Sequence, residues 1–176
     1  MKKIVDEEKL KRIFVRLAHE VVERNDGTAD VALLGIQRSG VAVAERLQSE
    51  LEKIEGLRLP TGALDVTLYR DDLLQGGGAD KGLTLVDFPV DGKKVVLCDD
   101  VLYTGRTVRA AISAVLALGR PARIQLLVVA DRGKHQLPFS ADYVGKNVFC
   151  EDGEKIIVRT PRAEDDREAG IYIREK

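Results

Sequence analysis

The residues best suited to chemistry stand together in the stretch KVVLCDDVLYTGRTVRAA at 94–111. A short apolar run, Val95 to Leu97, leads through Cys98 to two carboxylates, Asp99 and Asp100. A tight turn, Thr104-Gly105-Arg106-Thr107, then opens a helix. Carboxylates accept hydrogen bonds from sugar hydroxyls. The amides of a hydroxyl-and-glycine turn, with the positive end of the helix behind them, attract phosphate. Together they suit a sugar phosphate. Adjacent acids alone could equally cap the following turn. A receiver-like phosphoacceptor domain also carries acids at a strand end, but it has no need of the loop beside them.

The surrounding pattern says what must hold these groups. Residues 6–24 read as a helix, with Asp6 as its cap and Leu10, Ile13, Phe14, Leu17, Val21 and Val22 at helical spacing. Asn25-Asp26-Gly27 ends it. The run at 30–36 is nearly continuous in apolar residues, as in a strand buried on both faces of a parallel sheet. It leads into a loop, Gln37-Arg38-Ser39-Gly40, and a second helix over 41–54. Residues 63–69 alternate and read as a strand; Arg70 to Gly82, with three glycines at 76–78, reads as a mobile hairpin tip returning along Leu83 to Asp87. A helix over 106–118 stops at Gly119, and 123–130 is another buried strand. Short strands are expected at Tyr143-Val144, 147–150 and 155–159, and Ile171 to Ile173 reads as a last edge strand. Alternating strands and helices imply right-handed crossovers onto a mainly parallel sheet, hence an α/β fold. Ligands of such sheets sit at the carboxyl ends of the strands, where the segments 35–40, 99–107 and 131–133 all fall.

Bulk properties bound the reading. The 176 residues suit a single domain spanning 1–176, with 44% hydrophobic and 32% charged residues. The 28 Lys and Arg against 29 Asp and Glu leave a net charge of -1, which demands no nucleic-acid partner, although a local basic patch could hide within it. The two cysteines, Cys98 and Cys150, lack metal-ligand spacing, and Cys98 reads as a reduced core thiol. No apolar run approaches the ~20 residues of a membrane span. The basic start has no apolar stretch after it, so a cytoplasmic protein is expected.

On these residues the chain resembles the type I phosphoribosyltransferases. DDVLYTGRTVRA is close to the form in the bifunctional pyrimidine-operon regulator and uracil phosphoribosyltransferase family. Ala18-His19-Glu20, LDVTLYRDDL at 64–73 and Asp131 to Asn147 extend the similarity over residues 6 to 150. The resemblance implies a type I phosphoribosyltransferase fold: a central, mainly parallel sheet flanked by helices, with a small hood and a mobile hairpin flap. It implies a transferase joining uracil to phosphoribosyl pyrophosphate (PRPP), giving UMP and pyrophosphate, with Mg²⁺ as cofactor. Asp99 and Asp100 would hold the ribose hydroxyls, and Asp99 would also reach Mg²⁺, mostly through substrate and water. Val101, Leu102, Tyr103, Thr104, Gly105, Arg106 and Thr107 would complete the PRPP site, with the last four around the 5′-phosphate. Gln37, Arg38, Ser39 and Gly40 would form the pyrophosphate loop. The family usually has Lys-Thr-Arg-Gly there, so the basic residue has moved by one. Arg70 is a second catalytic candidate, or a surface arginine paired with Asp71 or Asp72. The flap would close over PRPP and exclude water from a cation-like transition state.

The same resemblance bears on the base. In hypoxanthine-guanine relatives an aspartate stands where this chain has Tyr103, and a lysine stands near Asp131. Both are missing here, which favours a pyrimidine. The base is expected near Val144, with Arg132 reading its edge or else paired to Asp131. Family members of the attenuator type also bind the leader mRNA of pyrimidine genes, on a basic face formed by a dimer. His19 and Lys146 match that face. Arginines are absent from Lys134 to Ser140, where the family often has two, and Val15 replaces a hydroxyl residue. Fewer cations mean less counterion release. The expectation is therefore a working transferase site, a homodimer or higher homo-oligomer, and RNA binding weakened or lost. The alternative is an RNA-binding attenuator with vestigial transferase activity.

Overall fold

The computed structural model describes residues 1–71, 84–161 and 167–175. Eight strands and three helices are described, in the order β1 (Lys2–Val5), α1 (Glu7–Arg24), β2 (Val31–Ile36), α2 (Ser39–Glu55), β3 (Thr61–Leu64), β4 (Lys94–Leu102), α3 (Arg106–Leu118), β5 (Arg123–Asp131), β6 (Tyr143–Asn147), β7 (Glu154–Arg159) and β8 (Gly170–Glu175). A five-stranded sheet has the order β3-β2-β4-β5-β6, and every neighbouring pair in it is parallel. After β2 the chain steps outward to β3, then crosses back to β4 on the other side. The crevice between the ends of β2 and β4 is thus a topological switch point, the usual place for a ligand in such sheets.

Both faces of this sheet are covered, which is why its strands read as continuous apolar runs. Leu33, Val96, Cys98, Leu127 and Val129 pack with Phe14 and Leu17 of α1 and Val43, Leu47 and Leu51 of α2. Their neighbours Leu34, Val95, Leu97, Leu126 and Val128 pack with Val108, Ala111 and Val115 of α3. Helix α1 starts where expected: the Asp6 side chain accepts the Lys9 N–H at 2.8 Å. It ends at Asn25, with Gly27 at φ 101 and its N–H on the Val22 carbonyl.

The hood is a second sheet of three antiparallel strands in the order β1-β8-β7. Ile171 to Ile173 is therefore its middle, not an edge. The short strand β1, half of it lysine, is what covers the far side, and its polar start hid it from a pattern search. The expected strand over 63–69 breaks after Leu64: Asp65 Oδ1 accepts the Thr67 N–H at 3.0 Å and the Thr67 hydroxyl at 2.7 Å, and Thr67–Tyr69 turns into a 3-10 helix. Of the expected return strand 83–87, one antiparallel bridge is formed, Leu85 to Ala63; Leu83 and the glycine-rich segment 72–82 lie outside the described residues. The strand expected at 147–150 stops at Asn147, after which the Val148 N–H turns to the Asp131 carbonyl.

Candidate active site

The carboxylate pair sits near the carboxyl end of β4. Each acid accepts the N–H of the next residue, Asp99 Oδ1 from Asp100 at 2.9 Å and Asp100 Oδ1 from Val101 at 2.8 Å. Strict alternation is lost across the pair, since Cys98 and Val101, three apart, both pack towards α1 and α2. Asp99 is only 8% exposed. Burial, and next the charge of Asp100, push its carboxyl well above the ordinary carboxylate range, while the Asp100 N–H and the Arg70 charge oppose the shift.

The two acids open on different cavities. Asp99 lines one of about 390 Å³, together with Arg70 and the turn 101–108. Asp100 lines two. One, of about 490 Å³, lies between Tyr103, Arg132 and the start of the hood at 152–156. The other, of about 350 Å³, is bounded by Ser39 and by the arginines Arg159, Arg167 and Arg174. A carboxylate pair that looks like one unit in the sequence thus serves three compartments.

The phosphate-type turn is built as its composition predicts. Gly105 takes φ 91 ahead of α3, a left-handed conformation that suits glycine. The Thr104 hydroxyl accepts the Arg106 N–H at 3.3 Å, and the Thr104 carbonyl accepts the N–H groups of Gln136 and Leu137 at 2.9 and 3.0 Å. The amides of Thr107 and Val108 follow in the first helical turn, where N–H groups have no intrahelical acceptor. Leu102 is core, and its carbonyl accepts the Arg132 N–H at 3.0 Å, so it adds only backbone to the site. Helix α3 also holds the residues that lead into the flap. Arg106 pairs with Asp71 at 2.7 Å, and Arg109 Nη2 donates to the Tyr69 carbonyl. Asp71 is therefore matched by Arg106, and Arg70 faces the cavity beside Asp99.

Loop 37–40 reaches the same crevice. The Gln37–Arg38 peptide is cis. Arg38 is exposed and precedes the first turn of α2, whereas Ser39 lines the cavity shared with Asp100. Two glycines set this close approach. A Cβ on Gly40 would lie 2.2 Å from the Cys98 carbonyl oxygen, and one on Gly35 would lie 2.5 Å from the Val41 Cα. Gly40 thus does more than close a loop. Its five-residue spacing from Gly35, across the strand-to-helix turn, was the available signal.

Arg132 is 8% exposed, and its guanidinium lies 4.1 Å from the centroid of the Tyr103 ring. Its Nη2 donates to the Glu151 carbonyl at 3.1 Å, and its Nε is buried with no partner. The alternative, an ion pair with Asp131, is not formed: Asp131 Oδ1 is 2.8 Å from the Gly133 N–H and from His135 Nε2. Val144 lies elsewhere. It packs on the α3 side of the core, and its carbonyl and that of Gly145 accept from Arg16 of α1 at 3.3 and 2.5 Å. His19 and Lys146 are both exposed, on these neighbouring elements α1 and β6. Among the described residues, no cluster of three or more His, Cys, Asp or Glu side chains could hold a metal alone. Two carboxylates beside a phosphate turn do fit Mg²⁺, which keeps several waters and shares one or two carboxylates with substrate phosphates.

Comparison with known proteins accords with this arrangement. Residues 1–165 match the phosphoribosyl transferase domain. A Bifunctional protein PyrR of Halalkalibacterium halodurans is 51% identical over 159 residues, covering 89% of this chain and 88% of that protein. Another, of Caldicellulosiruptor bescii, is 53% identical over 148 residues, covering 84% and 81%. The chain belongs to the PyrR-type phosphoribosyltransferase family. The fold agrees: the hypoxanthine phosphoribosyltransferase of Trypanosoma cruzi superposes with a TM-score of 0.76 at 19% identity, covering all of this chain and 98% of that one. The sheet, the hood and the carboxyl-end crevice are thus those of a type I phosphoribosyltransferase. No helix among the described residues is long and apolar enough to cross a membrane.

Proposed function

We propose that this PyrR-type protein transfers a phosphoribosyl group from PRPP to N1 of uracil. The observation that carries the reading is the Arg132–Tyr103 stack on the cavity that shares Asp100. A guanidinium is donor-only, so its unpartnered Nε suits a ring carbonyl and not an exocyclic amine. Uracil presents two carbonyls; cytosine replaces one with an amine. Tyr103, 41% exposed on the same cavity, offers an aromatic edge where a purine site would need an acid.

In this reading the cavity at 101–108 takes the 5′-phosphate, on the Thr107 and Val108 amides and the helix dipole. Asp99 and Asp100 accept from the ribose hydroxyls and fix C1 between the two cavities that Asp100 shares. The base approaches from the Arg132 side and the pyrophosphate departs on the Ser39 side. The C1–O bond breaks as C1–N1 forms, and the N1 proton passes to water. No protein nucleophile is required. The chain positions two reactants and surrounds a cationic sugar with carboxylates. Asp99 and Asp100 are the residues that would hold Mg²⁺, which when bound would supply charge neutralisation at the leaving pyrophosphate. Turnover of radiolabelled uracil, hypoxanthine and orotate with Mg²⁺-PRPP tests the assignment; uracil is expected to react, and its failure to do so would sink the reading.

For the regulatory half, we propose that leader-RNA binding is weak. Arg16, on the α1 face beside His19, is engaged by Glu20 at 2.8 Å and by the carbonyls of β6. Glu20, Glu23 and Asp142 add negative charge alongside. Filter binding to a pyrimidine leader RNA is expected to show no sub-micromolar, uridylate-dependent complex.

A further inference from the structure

Between β5 and β6 the chain runs from Arg132 to Asp142 with neither helix nor strand. Such a segment has no ladder to fix it, so individual bonds set its place. Two of those bonds end on the turn at 104–107. The Gln136 and Leu137 N–H groups both donate to the Thr104 carbonyl. The side chains of Leu137 and Phe139 close over the bare Cα of Gly105, where a Cβ would lie 3.3 Å from Leu137 Cβ and 3.1 Å from Phe139 Cδ2. A turn whose glycine contributes no side chain takes its position from what it rests on. The start of α3 is thus placed from outside the helix itself.

A pair of side chains holds the segment in turn. Asp131 is the last residue of β5, in register with Leu102 of β4 and Asn147 of β6, so it belongs to the sheet. Its Oδ1 accepts from the Gly133 N–H and from His135 Nε2, each at 2.8 Å. An ionised carboxylate only accepts, so the imidazole is the donor. The pair is sheltered, with 12% of the Asp131 side chain and 24% of the His135 side chain exposed. His135 also immediately precedes the Gln136 amide that Thr104 takes. Lys134, by contrast, reaches out to Asp152 in an exposed ion pair, of the kind that contributes little. Arg132 is fixed separately, through its N–H on the Leu102 carbonyl and its Nη2 on the Glu151 carbonyl.

We propose that His135, through its bond to Asp131, is a positioning residue for the turn that receives the 5′-phosphate. The inference rests on the phosphoribosyl-transfer reading above. His135 touches no substrate in this role. It fixes the span from the end of β5 to the Gln136 and Leu137 amides, and so where Thr104 and Gly105 stand when the phosphate arrives. The base side keeps its own anchors on Arg132, and the Ser39 side makes no use of the segment. Loss of the His135 bond therefore falls on the phosphate alone.

The test is calorimetric titration of the whole chain with ribose 5-phosphate and, separately, with Mg²⁺-pyrophosphate, alongside steady-state kinetics and thermal melts. His135→Ala is expected to weaken ribose 5-phosphate binding and to raise the KM for PRPP by about five- to tenfold, the scale of one sheltered hydrogen bond. The kcat, the KM for uracil and the pyrophosphate affinity should stay within about twofold, the pattern of lost uniform binding. His135→Gln, whose amide can donate from nearly the place of Nε2, should recover part of the loss, and Lys134→Ala should match the parent. Unchanged ribose 5-phosphate affinity in His135→Ala overturns the positioning role and leaves the transferase reading standing. An equal loss of both ligands with a lowered Tm also overturns it, because general damage would then explain the effect. A parent protein that binds neither ligand overturns the transferase reading, and this inference with it.

Discussion

Gly40→Ala is the sharpest test of how the crevice is assembled. Gly40 is buried in the first turn of α2, and its missing side chain is what lets that turn rest on β4. An added Cβ would sit 2.2 Å from the Cys98 carbonyl oxygen and 3.2 Å from the Asp99 Cα. Carbon and carbonyl oxygen do not approach closer than about 3.3 Å without strain. The start of α2 must therefore lift by roughly 1 Å, or β4 must bow by as much at the residue before the acids. Overpacking of this kind costs about 1–3 kcal/mol. For a chain of this size each kcal/mol lowers Tm by about 2–4 °C. The larger effect falls on activity, since a misplacement of about 1 Å between loop 37–40 and Asp100 can cost on the order of 100-fold in rate. Gly92→Ala is the control. Its φ of 69 penalises any side chain, but no atom lies within 4 Å of the added Cβ. It should lose about 1–2 kcal/mol of stability and no activity below its melting range. Thermal melts and kcat/KM for PRPP, measured on both variants, decide the matter. A Gly40→Ala protein within about twofold of the parent in kcat/KM would refute the close-packing argument.

Two further outcomes follow from the acids. Asp100→Asn should lose most turnover while its thermal melt stays near the parent's, because Asp100 opens on two cavities and supports no core; near-normal kcat/KM would remove it from the reaction. Asp99 should make the empty protein lose stability with rising pH. Its folded carboxyl is raised above the ordinary value of 3.8, so between the two values the folded state keeps a proton that the unfolded chain releases. That contribution is fully present below the ordinary value and is lost as pH climbs through the raised one. Asp99→Asn should flatten the dependence and be the more stable protein at neutral pH, with the gap closing near pH 4. Urea unfolding at several pH values measures it, and equal slopes for the two proteins would contradict the assigned burial.

The parallel core was legible in the sequence because both faces of its strands are covered. Val31 to Ile36 and Val95 to Cys98 have no polar face to confuse with anything else, and Asp6 and Gly119 punctuate helices in the ordinary way. The hood was less legible. Strand β1 begins with two lysines and pairs with residues some 170 positions away, and no local pattern carries that information. Asp65 looks like one more alternating polar residue in a strand, yet its side chain captures Thr67 and ends the strand. Of the proposed site, the acids and the turn at 104–107 stood out, since their residue types and close spacing point to a chemistry. Arg159 and Arg174 did not. Each is an ordinary polar position on a strand, and only the folding of the hood over Ser39 and Asp100 gives them a cavity to face.

The pairing of β1 with β8 has a bearing on how the protein comes to life. Register joins Lys2 to Ile173 and Val5 to Ile171, a closure spanning nearly the whole described chain. Contacts so distant in sequence form late, because the loop entropy must be met before they return anything. The sheet, α3 and the turn at 104–107 depend on nearer partners and can condense first. A growing chain would then possess the turn at 104–107 before it has a hood. Β8 follows every other described element, so the three-compartment crevice is complete only after the last strand has been threaded between its two neighbours.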